Sequence, residues 1–155
     1  MIRTYYEDYI VGDEFATPAR TITAEVVQGF ADVTGDHHRL HLDQEFGRAS
    51  MFGEPIAHGL LGLSLVNGLA YGSVIDPDYV LAFLGLSWKF VGPIRYNDTL
   101  HIIMRIADRR ATTRPDRGIV VEAARLINQR GELVQEGELT FMVKRRPETT
   151  SDAGV

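Results

Sequence analysis

Hydrophobic and polar positions divide this chain into two unlike halves. In the first half, Val26, Val27, Phe30 and Val33 recur at helical spacing. That pattern predicts a helix from Ala24 to about Val33 with these four residues on a buried face. Thr23 can cap its start, and Gly35 stands where a helix end needs an unhindered backbone. Ahead of the helix, "EFATPARTIT" reads as a short strand. After it a loop runs to Asp43, which can cap a short helix over "QEFGRAS". A longer helix from about His58 to Val74 is apolar nearly all round, through Leu60, Leu61, Leu63, Leu65, Val66 and Leu69. Such a helix is expected to be wrapped by other elements. Its glycines, at 59, 62, 68 and 72, weaken it by about 1 kcal/mol each relative to alanine. They also let a second backbone come close.

The second half reads as strands. "YVLAFLGLSWKFVGPI", "DTLHIIMRIADRRA", "RGIVVEAARLINQ" and "GELVQEGELTFMVKRR" are rich in β-branched and aromatic residues, with turn residues at "RYND", "TTRPDRG" and "NQRGE". Leu139, Phe141 and Val143 alternate onto one side. Short connections favour antiparallel neighbours. The expected architecture is α+β: an antiparallel sheet curled around one buried helix. Residues 1–146 form one domain in this reading, and the polar stretch from 147 to 155 is expected to be disordered.

Composition narrows the function. The chain has 155 residues, 45% of them hydrophobic and 24% charged, with a net charge of −5. That balance suits one packed domain and opposes nucleic acid or anionic membrane as main partners. With no cysteine, a disulfide scaffold, a thiolate metal site and a cysteine nucleophile are excluded. The first fifteen residues carry acids where an export signal would be basic and apolar, so a cytoplasmic location is expected. The apolar run at 56–75 is interrupted by His58, Asn67 and four glycines, which favours a core helix over a membrane span.

Titratable residues concentrate in "TGDHHRLHLD", residues 34–43, with His58 following in "PIAHGLLG". A turn could bring the Asp36 carboxylate and the His41 imidazole into one pocket, a pair suited to taking a proton from water and delivering it. The alternative is that Asp36 only turns the loop while His41 packs beneath it. Gly59 opens the long helix, where backbone N–H groups lack intrahelical partners. Its N–H could stabilise a developing oxyanion, or the glycine could serve packing alone. His38 and His41 with Asp36 or Asp43 also have metal-ligand chemistry, but "HHRLH" lacks an established ligand framework, and no metal is expected. His37 reads as solvated and His101 as structural.

The segments "FADVTGDHHRLHLDQEF" and "FGEPIAHGLLGLSLVNGL" resemble the MaoC-like, or (R)-specific enoyl-CoA hydratase, family of hotdog-fold proteins. That family's motif is an aromatic, a spacer, then Gly-Asp-x-Asn-Pro-aliphatic-His. Phe30, Gly35, Asp36, Leu40 and His41 match it here. "IAHGLL" matches the start of the family's central helix. "FVGPIRYNDTL" resembles a further strand-and-turn pattern, with Asn97 replacing the usual glycine. The resemblance runs from about Val11 to about Lys144. Four departures stand out: His38 for asparagine, Arg39 for proline, Gly47 for alanine or serine, and Asn67 for a serine that helps hold the aspartate.

The resemblance implies addition of water to a trans-2-enoyl-CoA to give an (R)-3-hydroxyacyl-CoA, or the reverse. Asp36, His41 and Gly59 would be catalytic, with His58, Asn67 and His38 at the substrate. No cofactor is implied, since coenzyme A belongs to the substrate; acyl carrier protein is the alternative carrier. Lys89, Arg95, Arg109 and Arg110 are candidate partners for its phosphates. A homodimer or higher homo-oligomer is implied, because hotdog sheets pair edge to edge. Two other functions stay open on this fold: an acyl-CoA thioesterase, which would want a carboxylate on the central helix, and a non-catalytic acyl-CoA-binding homologue.

Overall fold

Proline at position 18 has no N–H for a sheet ladder, and the first expected strand breaks around it. In the computed structural model, which describes residues 2–147, the strand becomes β1 (Glu14–Ala16) and β2 (Arg20–Thr21). Both pair antiparallel with β4. Thr17 bridges the gap: its N–H donates to the Ile102 carbonyl at 3.0 Å, and its hydroxyl accepts the Ile102 N–H at 3.1 Å.

Helix α1 (Ala24–Thr34) starts at Thr23, whose side chain accepts the Val26 N–H, and ends at Gly35 with a left-handed φ of 77°. The buried residues are Val27 and Ala31, with Val26 and Phe30 packed partly against the core. Val33 does not join them. It is 81% exposed, because the last turn of α1 runs out toward a loop, and residues 32–39 are all exposed. The stretch taken as loop up to Asp43 contains one turn of helix, α2 (Arg39–Leu42), followed by α3 (Gln44–Ala49). The Asp43 side chain caps α3 by accepting the Phe46 N–H at 2.9 Å.

The long helix α4 spans Gly59–Ala70 and stops short of Val74. Tyr71 is extended and Gly72 has φ 73°, which turns the chain. Leu61, Leu65, Val66 and Ala70 are buried against β-sheet residues that include Leu100, Ile102, Met104 and Phe141. The helix is not wrapped on every side: Leu60, Ser64 and Gly68, one turn apart, form an exposed stripe.

Four long strands follow: β3 (Val80–Phe90), β4 (Thr99–Ala111), β5 (Arg117–Ile127) and β6 (Leu133–Lys144). The sheet order is β1-β4-β5-β6-β3, antiparallel throughout, with β2 also on β4. Asn97 takes a left-handed φ of 65° before β4, the conformation that favours glycine and that asparagine tolerates. The expected sheet around a central helix is therefore present. The expected tail lies, from residue 148, outside the described residues. Among the described residues no helix is long and apolar enough to cross a membrane.

One acid points inward. Glu122 on β5 is 1% exposed, lies beside Tyr9 and Tyr71, and has one carboxyl oxygen with no hydrogen-bond partner. Burial raises its pKa from 4.5 to about 8, while the nearby Arg3 charge pulls the other way. Between those two values the folded chain keeps a proton that the unfolded chain releases. This contribution to stability is complete below pH 4.5 and falls as pH rises toward 8, by about 1.4 kcal/mol per unit. Glu122→Gln should therefore gain stability relative to the native chain as pH rises from 5 to 8. Urea unfolding at several pH values tests this; a gap that stays constant with pH would contradict it.

Candidate active site

The site is assembled on the segment that leads into α4. Pro55 packs directly on Gly47 of α3: a Cβ at Gly47 would lie 2.3 Å from the Pro55 nitrogen. A side chain at position 47 would force Pro55 to shift. Ala57 N–H donates to the Ile94 carbonyl at 2.8 Å, and Ile56 bridges Arg95. This pins residues 55–58 between α3 and the strand connection before β4.

Three side chains converge on that segment. Ligand atoms of Asp36, His41 and His58 all lie within 4.8 Å of one another. His41 Nδ1 is 2.8 Å from the Ile56 carbonyl. A carbonyl only accepts, so Nδ1 carries the proton and Nε2 is left with a free lone pair. Tyr96 hydroxyl donates to the His41 carbonyl and anchors its main chain. His58, 2% exposed, directs Nε2 at the Asp36 carbonyl, 2.9 Å away. Its Nδ1 is buried without a partner. The His41 and His58 rings lie face over face, with centroids 3.9 Å apart and a 34° tilt, and Phe30 closes on His58 at 5.0 Å.

Burial pushes the His41 pKa below its usual 6.5, and the neighbouring His58 and His38 push it the same way. The Ile56 carbonyl and the Asp36 charge oppose this without reversing it. His41 is therefore a neutral imidazole at neutral pH, with Nε2 able to accept a proton. Asp36 is exposed, and its carboxylate accepts the His38 N–H at 3.3 Å. The group can hold a proton between carboxylate and imidazole. The same donors could also bracket a divalent cation, although each imidazole has one nitrogen committed to a carbonyl.

Gly59 follows His58 directly and opens α4. Its N–H makes no hydrogen bond among the described residues. It lines a cleft of about 320 Å³ with Phe52, Ile56, Phe90, Pro93 and Gln135. Asp36 and His41 do not line that cleft; Ile56, whose carbonyl holds His41, does. His38 is exposed: its Nδ1 accepts the Leu40 N–H at 3.1 Å and caps α2, and its ring centroid is 5.9 Å from that of His41. Asn67 lies two turns along α4. Its side-chain oxygen is buried without a partner, and it makes no hydrogen bond to Asp36 among the described residues.

Of the four cations expected near phosphates, Arg95 is paired with Glu54. Arg109 donates to the Tyr6 and Glu7 carbonyls. Lys89 and Arg110 are exposed on the sheet. His37 pairs with Asp32 at 3.2 Å, and His101 pairs within β4 and β5 opposite Ile127.

Sequence reading missed three contributors: the Ile56 carbonyl, the Tyr96 hydroxyl and the Gln135 amide. A backbone carbonyl leaves no trace in residue type. Gln135 did leave one, since it shares the inward parity of Leu139, Phe141 and Val143 on β6.

Comparison with known proteins identifies the family and the fold. A family model described as a MaoC like domain matches residues 8–126. Protein MaoC of Klebsiella aerogenes is 33% identical over 116 residues, covering 74% of this chain but only 33% of that protein. An (R)-specific enoyl-CoA hydratase of Rhodospirillum rubrum is 26% identical over 152 residues, covering 94% and 96%. The crystal structure of a MaoC-like dehydratase from Rhodospirillum rubrum superposes with a TM-score of 0.83 at 30% identity, covering 94% and 99%. A double-hotdog protein of Mycobacterium tuberculosis shares the fold with a TM-score of 0.77 at 20% identity, covering 93% of this chain and 45% of that one.

His41 should titrate below 6.5 and carry its neutral-state proton on Nδ1. Nitrogen-15 shifts of the imidazole across pH 4 to 8 (a range of roughly four units about the histidine reference value) read both. A midpoint above 6.5, or a proton on Nε2, would contradict the geometry.

Proposed function

This chain belongs to the MaoC-like hydratase/dehydratase family, and on that premise we propose that it adds water across a trans-2-enoyl-CoA to give an (R)-3-hydroxyacyl-CoA, or catalyses the reverse. The reading is supported by one observation: the Asp36 carboxylate and the His41 imidazole have ligand atoms within 4.8 Å of each other and of His58, the residue immediately before the Gly59 amide.

In this reading a water molecule lies between Asp36 and His41 Nε2. Its oxygen bonds to the β-carbon as one of its protons is taken up by the pair. The electron pair of the double bond moves toward the thioester carbonyl. The Gly59 N–H, at the positive end of α4, stabilises the resulting oxyanion. A proton returned to the α-carbon completes the addition, and no atom is left over. Elimination runs through the same steps in reverse. A thioesterase on this fold is less well supported, because α4 carries no acid anywhere along Gly59–Ala70.

We place the protein in the cytoplasm and propose that it works as a homodimer or higher assembly. The support for assembly is strand β3, which ends the sheet and exposes Leu81, Phe83, Leu84, Leu86 and Phe90, with Val91 exposed just beyond it. An apolar free edge of this kind invites strand pairing with a second copy.

Purified protein should consume the conjugated chromophore of an enoyl-CoA without releasing free thiol. Asp36→Asn and His41→Ala should each lower turnover by about 100-fold or more while leaving the fold intact by circular dichroism. Thiol release, or native rates in either variant, would defeat the assignment. For the assembly, Leu86→Glu should shift the sedimentation coefficient from dimer to monomer; a native chain that is already monomeric at micromolar concentration would remove that part of the proposal.

A further inference from the structure

Gln135 carries an amide into the core at an inward position of β6 and is 1% exposed. Both ends of that amide are bound. Oε1 accepts the indole N–H of Trp88 at 3.0 Å, and Nε2 donates to the Gly59 carbonyl at 2.9 Å. Space for it is provided by Gly62, one turn further along α4. A Cβ at Gly62 would lie 2.5 Å from Nε2 and 2.7 Å from Oε1. Phe90, which is paired in register with Gln135, covers Gly59 from another side. A Cβ on Gly59 would come within 2.9 Å of that ring. The first residue of α4 is therefore tethered through its carbonyl and pressed by an aromatic ring.

We propose that Gln135 is a positioning residue for the Gly59 amide, held in its donating orientation by Trp88. The proposal rests on the reading of the Gly59 N–H as the oxyanion donor. A side-chain amide can face either way, but an indole N–H only donates. Trp88 therefore takes Oε1 and leaves Nε2 for the Gly59 carbonyl. The opposite orientation would set two donors against each other at Trp88 and two acceptors at Gly59. Glycine has the widest backbone freedom of any residue, and rotation about its own bonds would swing its N–H away from the substrate. The tether removes that freedom at the point where donor direction matters. A small misplacement of such a donor lowers the rate of the chemical step more than it weakens binding.

Gln135→Met fills a similar volume and cannot donate. With crotonyl-CoA as substrate it should lower kcat about 10-fold or more, with KM changed less than about twofold. The measurement is made at a temperature where the variant is fully folded by circular dichroism. Trp88 is the only tryptophan in the chain, so its emission maximum should move when its acceptor is removed. Trp88→Phe frees Gln135 to turn and should lower kcat in the same direction; it decides the matter if Gln135→Met does not fold. A lower Tm with native kcat in these variants would make Gln135 a packing residue and overturn the proposal. Asp36→Asn, run in parallel, separates the two levels: native turnover in that variant defeats the hydratase reading, whereas its loss beside native turnover in Gln135→Met defeats only the positioning role.

Discussion

A helix that begins inside a protein leaves amide hydrogens that its own ladder cannot use. Here α4 begins beside a cleft, with Gly59 as its first residue and no partner for its N–H among the described residues. Gly59 is half-buried and lines that cleft, so its N–H is left for an acceptor that enters there. The rest of the site is arranged around that position. Ile56 gives its carbonyl to His41, Ala57 is bonded to Ile94, and His58 turns its ring to the Asp36 carbonyl. Four consecutive residues thus orient the imidazole, anchor to the strand connection, hold the aspartate's backbone and present the amide.

The remaining architecture keeps that segment still. Tight contact between Gly47 and Pro55 fixes it from α3. The sheet contributes from its other side through Gln135 and Phe90, which meet the first turn of α4 from two neighbouring strands. Electrostatics follow from the same packing. His41 is buried enough to stay neutral, yet its Nδ1–H is satisfied, so the opposite nitrogen remains basic and correctly directed. Glu122, far along the sheet, shows what burial does without such partners: it holds its proton through neutral pH.

Much of this was legible in the chain. The strands declared themselves by β-branched content and the turns between them, and the approach of Asp36 to His41 could be read from the clustering of residue types and from likeness to one family. The failures have physical causes. Val33 fits a helical stripe, but periodicity does not say where the body of the protein ends. α2 is a single turn, too short to leave a pattern. Asn67 and His38 were placed at the substrate by their position in a motif, and the structure adds that one has a buried side-chain oxygen without a partner among the described residues while the other caps a helix. Contacts made by backbone carbonyls are invisible at the level of residue type.

The turn that carries Asp36 toward His41 contains no proline; His38 and Arg39 stand at the bend. Its stiffness comes instead from the His38 ring accepting the Leu40 N–H and from Arg39 gripping Asp43 at 2.8 Å. A pyrrolidine ring would fix one backbone angle at the bend by itself. Here the bend depends on side-chain contacts instead, so the mounting of Asp36 extends along the chain as far as Asp43.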